Sequence, residues 1–300
     1  MTVQEAGTRP LKVAPVARPR PGRTRRGTSP ALLKAGAYAA LTVAALIAIM
    51  PFVWAFLTSV KRPVDAFSLP PTWSFSPTLE AYRILWYEHD FAAFLGNTLL
   101  VAALTVVISL LTAAPAAYAL ARYTSVGGLT LLIVALAFRA LPRMAVVLPF
   151  YYISRELGLY DTRTALVIAL VAVNQPFAIW LLRNFFASIP EALDEAAMVD
   201  GCSRLRGFRL IILPLVKPGL ITTAIFTFML AYQDYLIPVI ITQSNAVTLP
   251  VFIAQFSTEN VQDWPVISAA SISLALPIIA LVMLAQKYLV AGLTAGSVKG

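Results

Sequence analysis

A chain of 300 residues that is 59% hydrophobic and only 12% charged has too little polar side chain to cover its apolar surface in water, where a soluble domain carries about 25% charge; it reads as a multi-span membrane protein. The 23 basic and 14 acidic residues give a formal charge of +9, but the basic residues gather at the ends of apolar runs and do not interleave with aromatics, which excludes a nucleic-acid surface and points to membrane topology. A single cysteine, Cys202, and a single histidine, His89, exclude an internal disulfide and a zinc site built mainly of Cys and His.

Residues 1–30 are rich in Pro, Arg and Gly and carry Arg18, Arg20, Arg23, Arg25 and Arg26. They are expected to form a disordered basic cytoplasmic tail. Arg25-Arg26 before an apolar run raises a twin-arginine signal. The run from Ala35 to Val60 is too long for a signal-peptide core and shows no convincing cleavage site. Six apolar segments follow, each near the roughly 20 residues that cross the hydrocarbon core: 35–58, 93–116, 127–150, 164–186, 217–240 and 264–286. Pro115 is expected to bend the second. The third contains Arg139 and Arg143, one turn apart on one helix face. The fourth is expected to break at Asn174-Gln175-Pro176, where Pro176 frees backbone carbonyls.

The N-tail, the loops around Arg122 and Arg204 and the C-tail hold sixteen basic residues; the three opposite loops hold five (Lys61, Arg62, Arg83, Arg155, Arg163). That asymmetry places both termini and the first set of loops in the cytoplasm. In the first outer loop, Trp73, Trp86 and Tyr87 read as interface anchors, with a surface for an extracytoplasmic partner as the other reading. Gln255, Glu259, Asp263 and Trp264 in the last outer loop are either a docking surface for a solute-binding protein or a solvated loop. His89, between Glu88 and Asp90, reads as solvent-exposed. No Walker-type GxxxxGK[ST] occurs, and Gly127-Gly128 reads as a turn.

Between the fourth and fifth spans lies a charged stretch in an otherwise oily sequence. Ser188 is a candidate N-cap, Pro190 suits a first helical turn, and Glu191, Asp194 and Glu195 put negative charge near the helix start. Gly201 is a helix stop. Ser203 caps a second short helix with Leu205, Phe208 and Ile212 at helical spacing, which Pro214 is expected to end. Ala196 and Ala197 leave a smooth face for another protein's groove, and Glu195 and Asp200 offer charge to a partner's Arg or Lys. An ordinary amphipathic loop at the membrane surface is the other reading.

Glu195-Ala196-Ala197, Gly201 and Ile211-Ile212-Leu213-Pro214 resemble the EAA loop of binding-protein-dependent ABC importer permeases, with Cys202 where a small Ala is more usual. Tyr232-Gln233-Asp234-Tyr235-Leu236-Ile237-Pro238 is similar to the Trp-Asn-Asp/Glu-x-Leu-x-Pro run of carbohydrate permeases, with Tyr and Gln in place of Trp and Asn. Leu157-Gly158-Leu159-Tyr160-Asp161-Thr162 looks like their outer Gly-Leu-x-Asp-Thr loop. The end, Ala291 to Gly300, resembles the tail of the shorter maltose-type permease. The likeness covers about residues 35 to 300. It implies an all-α membrane protein with the six-helix type I importer permease fold and both termini cytoplasmic. Residues 31–286 would form the permease domain, with the coupling loop at about 187–218 and a cytoplasmic tail at 287–300.

The resemblance further implies that Glu195, Ala196, Ala197, Asp200, Gly201, Phe208, Leu213 and Pro214 form the element that sits in a cleft of an ATPase subunit, and that Gly296, Lys299 and Gly300 reach the ATPase dimer interface. ATP and Mg would sit on that partner, leaving this chain without cofactor, metal site or catalytic residue. Its other partners would be a second, non-identical permease and an extracytoplasmic solute-binding protein.

Polar groups at membrane depth usually face a cavity or a partner. Tyr232, Gln233, Asn174 and Gln175 are candidates for sugar hydroxyls, and Tyr235 and Phe228 for sugar faces. Asn174-Gln175 also reads as a kink satisfied by neighbours. Asp234 pairs with an arginine of this chain or of the partner permease, or else lines the path. For Arg139 and Arg143 the favoured reading is snorkelling or pairing with the partner chain. Within the importer class, sugars, oligosaccharides, polyols and glycerol phosphate stay open. An ion-coupled transporter centred on Asp234 is the rival reading; an intramembrane enzyme has too few converging groups.

Overall fold

A computed structural model describes residues 30–123, 125–256 and 260–294. The basic N-tail and the tail residues Gly296, Lys299 and Gly300 lie outside the described residues. The described regular elements are all helical. Among the described residues, those from Pro30 to Met50 belong to one unit and those from Pro51 to a second. The first unit is the start of the helix Pro30–Ser59. It exposes Tyr38, Leu41, Leu46 and Ile47, apolar on every face, as expected of a span facing lipid or other helices.

The second unit is built around two long helices, Phe91–Arg122 and Arg163–Ala187, which make its most extensive packing. The helix Lys217–Tyr232 packs on both and on Asp263–Thr294. Small residues let the first two approach: Ala113, Ala114, Ala117 and Ala121 on one helix meet Ala178, Leu182 and Phe186 on the other, the close packing that replaces a hydrophobic driving force between helices in lipid. Three apolar clusters line up along the bundle. One at the loop end joins these residues to Phe208 and Ile212. A central one is built on Val101, Leu166, Leu170, Tyr232 and Ile237. One at the opposite end gathers Leu85, Phe91, Leu249 and Phe252.

Among the described residues four helices are long and apolar enough to cross a membrane, and up to six when each of two sharply bent pairs is taken as one span. Both Pro115 and Pro176 lie inside uninterrupted helices, so the expected break at Asn174-Gln175-Pro176 is not there. Pro176 withholds one N–H from the Ala172 carbonyl without ending the helix, and the neighbouring amide nitrogens are held inside the bundle: Asn174 Nδ2 donates to the Leu170 carbonyl at 2.9 Å and Gln175 Nε2 to Thr112 Oγ1 at 2.8 Å. The third apolar segment breaks instead. Val126–Ala140 and Arg143–Glu156 meet at 99°. Leu141 precedes Pro142 and is extended, with ψ 154°, because the proline ring disfavours the helical region for the residue before it. Arg139 and Arg143 therefore sit on two helices, not on one face. The fifth segment also divides: Lys217–Tyr232 stops, and a short helix, Leu236–Ile241, resumes after Asp234.

Candidate functional site

The loop between Arg163–Ala187 and Lys217–Tyr232 is a helical hairpin. Its first helix is Ala192–Val199, with Asp194 and Glu195 in the first turn. Ser188 does not cap it. Ser188 closes the preceding helix, donating from Oγ to the Phe185 carbonyl at 2.7 Å, and the turn through Pro190 and Glu191 leads in. The helix ends in a left-handed residue, Gly201, with φ 82°. The Gly201 N–H donates to the Met198 carbonyl at 3.1 Å and the Cys202 N–H to the Ala197 carbonyl at 2.9 Å, which is the Schellman pattern that satisfies orphan carbonyls. Ser203 Oγ accepts from the Arg206 N–H and starts Arg204–Gly207. Pro214 does not stop this second helix, which runs on through a wider π turn, Phe208–Ile212, to Leu215. The π turn falls where Pro214 withholds the N–H that an α turn would give the Leu210 carbonyl.

The hairpin closes on its small residues. Ala197 is only 2% exposed, and a Cβ placed on Gly207 would stand 3.4 Å from the Ala197 Cβ. Ala197 therefore joins the two short helices and is not part of an open face; Ala196 is exposed. Phe208, 8% exposed, points inward as well, 4.9 Å from the Tyr118 ring and 6.1 Å from Phe186. The open surface is made of Glu195, Ala196, Met198, Val199, Asp200, Leu205 and Pro214, with Leu213 half-buried behind it.

Two residues that hydropathy does not single out wire this hairpin to the bundle. Tyr118 and Arg122, four apart and so on one helix face, both reach Asp194. Tyr118 Oη donates to Oδ1 at 2.5 Å and Arg122 Nε to Oδ2 at 2.7 Å. Arg122 Nη1 also donates to the carbonyls of Phe186 and Ile189, at 3.2 and 3.1 Å. One guanidinium thus holds three segments together. Beside it Arg204 bonds Tyr123 Oη and lies over its ring at 5.6 Å. Tyr118, Arg122, Glu195 and Met198 edge a cleft of about 170 Å³ in the hairpin. The sequence signal for this wiring was a Tyr and an Arg at helical spacing at the end of an apolar run.

The residues proposed for a solute path divide. Tyr232 is fully buried in the central cluster, stacked on Phe228 at 5.4 Å, with Oη donating to the Leu274 carbonyl. Asn174 is buried between helices. Gln175 turns toward Thr112. Gln233 and Tyr235 are exposed at the break in the fifth segment. Asp234 is buried between them: Oδ1 accepts the Ile237 N–H at 3.0 Å, heading the short helix, and Oδ2 pairs with Arg143 at 3.1 Å. The ion pair thus bridges the two broken segments within this chain. It borders a cavity of about 270 Å³ lined by Arg139, Arg143, Phe150, Val173, Pro176 and Ile237, among others.

At the opposite end, Asp161 accepts from the backbone N–H of Gln243, Ser244, Asn245 and Ala246. Burial alone would raise its carboxyl, but these four donors outweigh it and hold its pKa below the usual carboxylate value. Among the described residues no cluster of His, Cys, Asp and Glu is arranged to hold a metal ion.

Residues 109–295, more than half of the chain, match the family described as binding-protein-dependent transport system inner membrane component. A probable ABC transporter permease protein, y4oR of Sinorhizobium fredii, is 40% identical over 257 residues, covering 86% of this chain and 92% of its own length. The trehalose transport system permease protein SugB of Mycobacterium tuberculosis is 36% identical over 259 residues, covering 84% and 93%. In fold the chain is similar to a component of a bacterial ABC transporter involved in the import of the acidic polysaccharide alginate, with a TM-score of 0.71 at 24% identity, covering 90% of this chain and 99% of that one. Apolar helices able to span a membrane, the described fold and these similarities agree, and the chain belongs to the family of binding-protein-dependent inner membrane transport components, as a multi-pass ABC transporter permease subunit.

Proposed function

We propose that this permease is one of two non-identical membrane subunits of an importer that carries a carbohydrate inward by alternating access, and that the 187–218 hairpin transmits the work of a separate ATPase. The observation that carries this is the wiring of the hairpin. Asp194 is tied at once to Tyr118 and Arg122 on one long helix, and through Arg122 to the end of another. A push on the exposed strip of Glu195, Ala196 and Asp200 therefore reaches two membrane helices without passing through a soft loop. Gly201 and the Ala197–Gly207 contact keep the hairpin in one shape, while Phe208 anchors it from inside.

In this reading ATP and Mg sit on the ATPase dimer, an extracytoplasmic binding protein delivers the solute, and both termini face the cytoplasm of a bacterial inner membrane. Gly296, Lys299 and Gly300 meet the ATPase as well. The carbohydrate assignment leans on a relative such as SugB, named for trehalose, and on the aromatic and polar residues at the break in the fifth segment. The rival ion-coupled mechanism has less support, because both oxygens of Asp234 are already engaged.

The test is crosslinking in the assembled complex. With Cys202→Ser as background, Ala196→Cys is expected to form a disulfide with a cysteine placed in the ATPase cleft, in a yield that changes with ATP. Ala197→Cys, buried against Gly207, is expected to react far less. Solute uptake that persists without any ATPase, with no crosslink from Ala196→Cys, would sink the coupling role.

A further inference from the structure

The cavity at the kink carries more positive charge than its walls answer. It encloses about 270 Å³, and Ala135, Val147, Phe150 and Val173 give it an apolar lining into which Arg139 and Arg143 intrude. Among the described residues no Asp or Glu lines it. The nearest acid, Asp234, spends one oxygen on the Ile237 N–H and the other on Arg143. Arg139 has a buried Nη1 with no hydrogen-bond partner among the described residues. Its guanidinium rests 5.2 Å from the centre of the Phe177 ring. A ring face attracts the cation but leaves the in-plane N–H fork without acceptors. A cation at membrane depth with no counter-charge is costly and marks a path or ligand site.

We propose that Arg139, flanked by Arg143, receives the anionic group of an acidic carbohydrate, a carboxylate, sulfonate or phosphate, so that this cavity is the acidic-solute subsite of the translocation path. The proposal rests on the importer reading and narrows its substrate class. The planar guanidinium fork suits an oxyanion. The volume is near the lower end of ligand sites, about 300 Å³, which suits one charged sugar ring. Pro176 also lines the cavity and gives no N–H to the Ala172 carbonyl, leaving an acceptor there for a sugar hydroxyl. Phe138 and Phe150 supply apolar surface for the ring faces.

The test uses the whole transporter, with its partner permease, ATPase and binding protein, in proteoliposomes. ATP-dependent accumulation is followed for labelled trehalose, trehalose 6-phosphate and the corresponding 6-carboxylate, which differ in one group. Equilibrium binding of the same three probes to the purified complex gives a readout free of turnover. The expected result is preference for the charged probes, lost by about tenfold or more in Arg139→Gln and by less in Arg139→Lys, which keeps the charge without the fork. Binding of the neutral probe should not change. Accumulation of trehalose alone would overturn this proposal and leave the importer reading standing. An equal fall for all three probes in Arg139→Gln would also overturn it. So would loss of the partner permease from the Arg139→Gln complex, which would place the missing acceptor on that subunit.

Discussion

Arg122–Asp194 and Arg143–Asp234 join the same residue types across gaps between helices, at N–O distances of 2.7 and 3.1 Å. Their surroundings differ. In the first pair both side chains are nearly enclosed, 8% and 16% exposed, and the aspartate also holds a tyrosine while the arginine holds two carbonyls. In the second the aspartate is 1% exposed and the arginine 54%. The first is enclosed on both sides, with Arg122 Nη2 the donor that finds no hydrogen-bond partner among the described residues, and behaves as a joint. The second is closed on the carboxylate side only and leaves a guanidinium facing a cavity. Ion pairing by itself therefore says little about role; what decides is how far each pair is enclosed and how many further bonds tie it to the chain.

Breaking the joint should have the largest effect. Asp194→Ala leaves Arg122 enclosed with only its two carbonyl partners and strips Tyr118 of its acceptor. A buried charge that loses its partner costs about 3–5 kcal/mol, and the two carbonyl bonds place the expected loss at about 3. It should appear as a lowered thermal midpoint of the purified complex, together with loss of ATP-driven uptake. Gly207→Val attacks the same joint by volume. The added side chain meets Ala197, and overpacking costs about 1–3 kcal/mol. Ala197→Gly in the same chain should recover part of the midpoint, a rescue that a general folding defect would not show. Asp234→Asn tests the open pair. The amide can still accept the Ile237 N–H, and Arg143 is exposed enough to find other partners, so about 1 kcal/mol is expected. A loss as large as that of Asp194→Ala would erase the distinction between the two pairs.

Much of the hairpin was legible because its signals are local. Gly201 can take φ 82° where a β-carbon would be strained, and Ser203 offers an oxygen to an unpaired helix N–H; both effects act within a few residues. The apolar segments were legible for a similar reason, since lipid imposes a length that hydropathy measures directly. Direction was not. The run 127–150 has the composition of one span, yet Pro142 sets Leu141 in an extended conformation and turns the chain by 99°. Composition cannot tell a proline that ends a helix from one that the helix runs through, and Pro115 and Pro176 show the second outcome. Small residues were ambiguous as well. Ala196 and Ala197 are identical in sequence terms, but only Ala197 faces Gly207, ten residues away, so one is surface and the other core. Asn174 and Gln175 are polar at membrane depth; their amide nitrogens are taken up by Leu170 and Thr112, while Asn174 Oδ1 and Gln175 Oε1 have no hydrogen-bond partner among the described residues.

Asp161 extends the comparison to a carboxylate held without an arginine. It sits in the left-handed region, φ 59°, and its acceptors are filled by four backbone N–H groups and the Asn245 side chain. These bonds favour the charged form, and the pKa is depressed on folding in spite of partial burial. A depressed carboxyl adds stability above its unfolded value of about 3.9, and that stability is lost as the pH falls below this value toward the lower folded one. The wild-type midpoint should therefore drop as the pH is lowered through about 4. Asp161→Asn, which tolerates the same backbone region, should start from a lower midpoint at neutral pH and show a flatter fall in that window. The difference should be the smallest of the set, because the site is only partly enclosed and other carboxylates titrate in the same range. Equal slopes for the two proteins would mean that backbone donors alone do not fix a carboxylate here, and that the strength of the Asp194 joint comes from Arg122 after all.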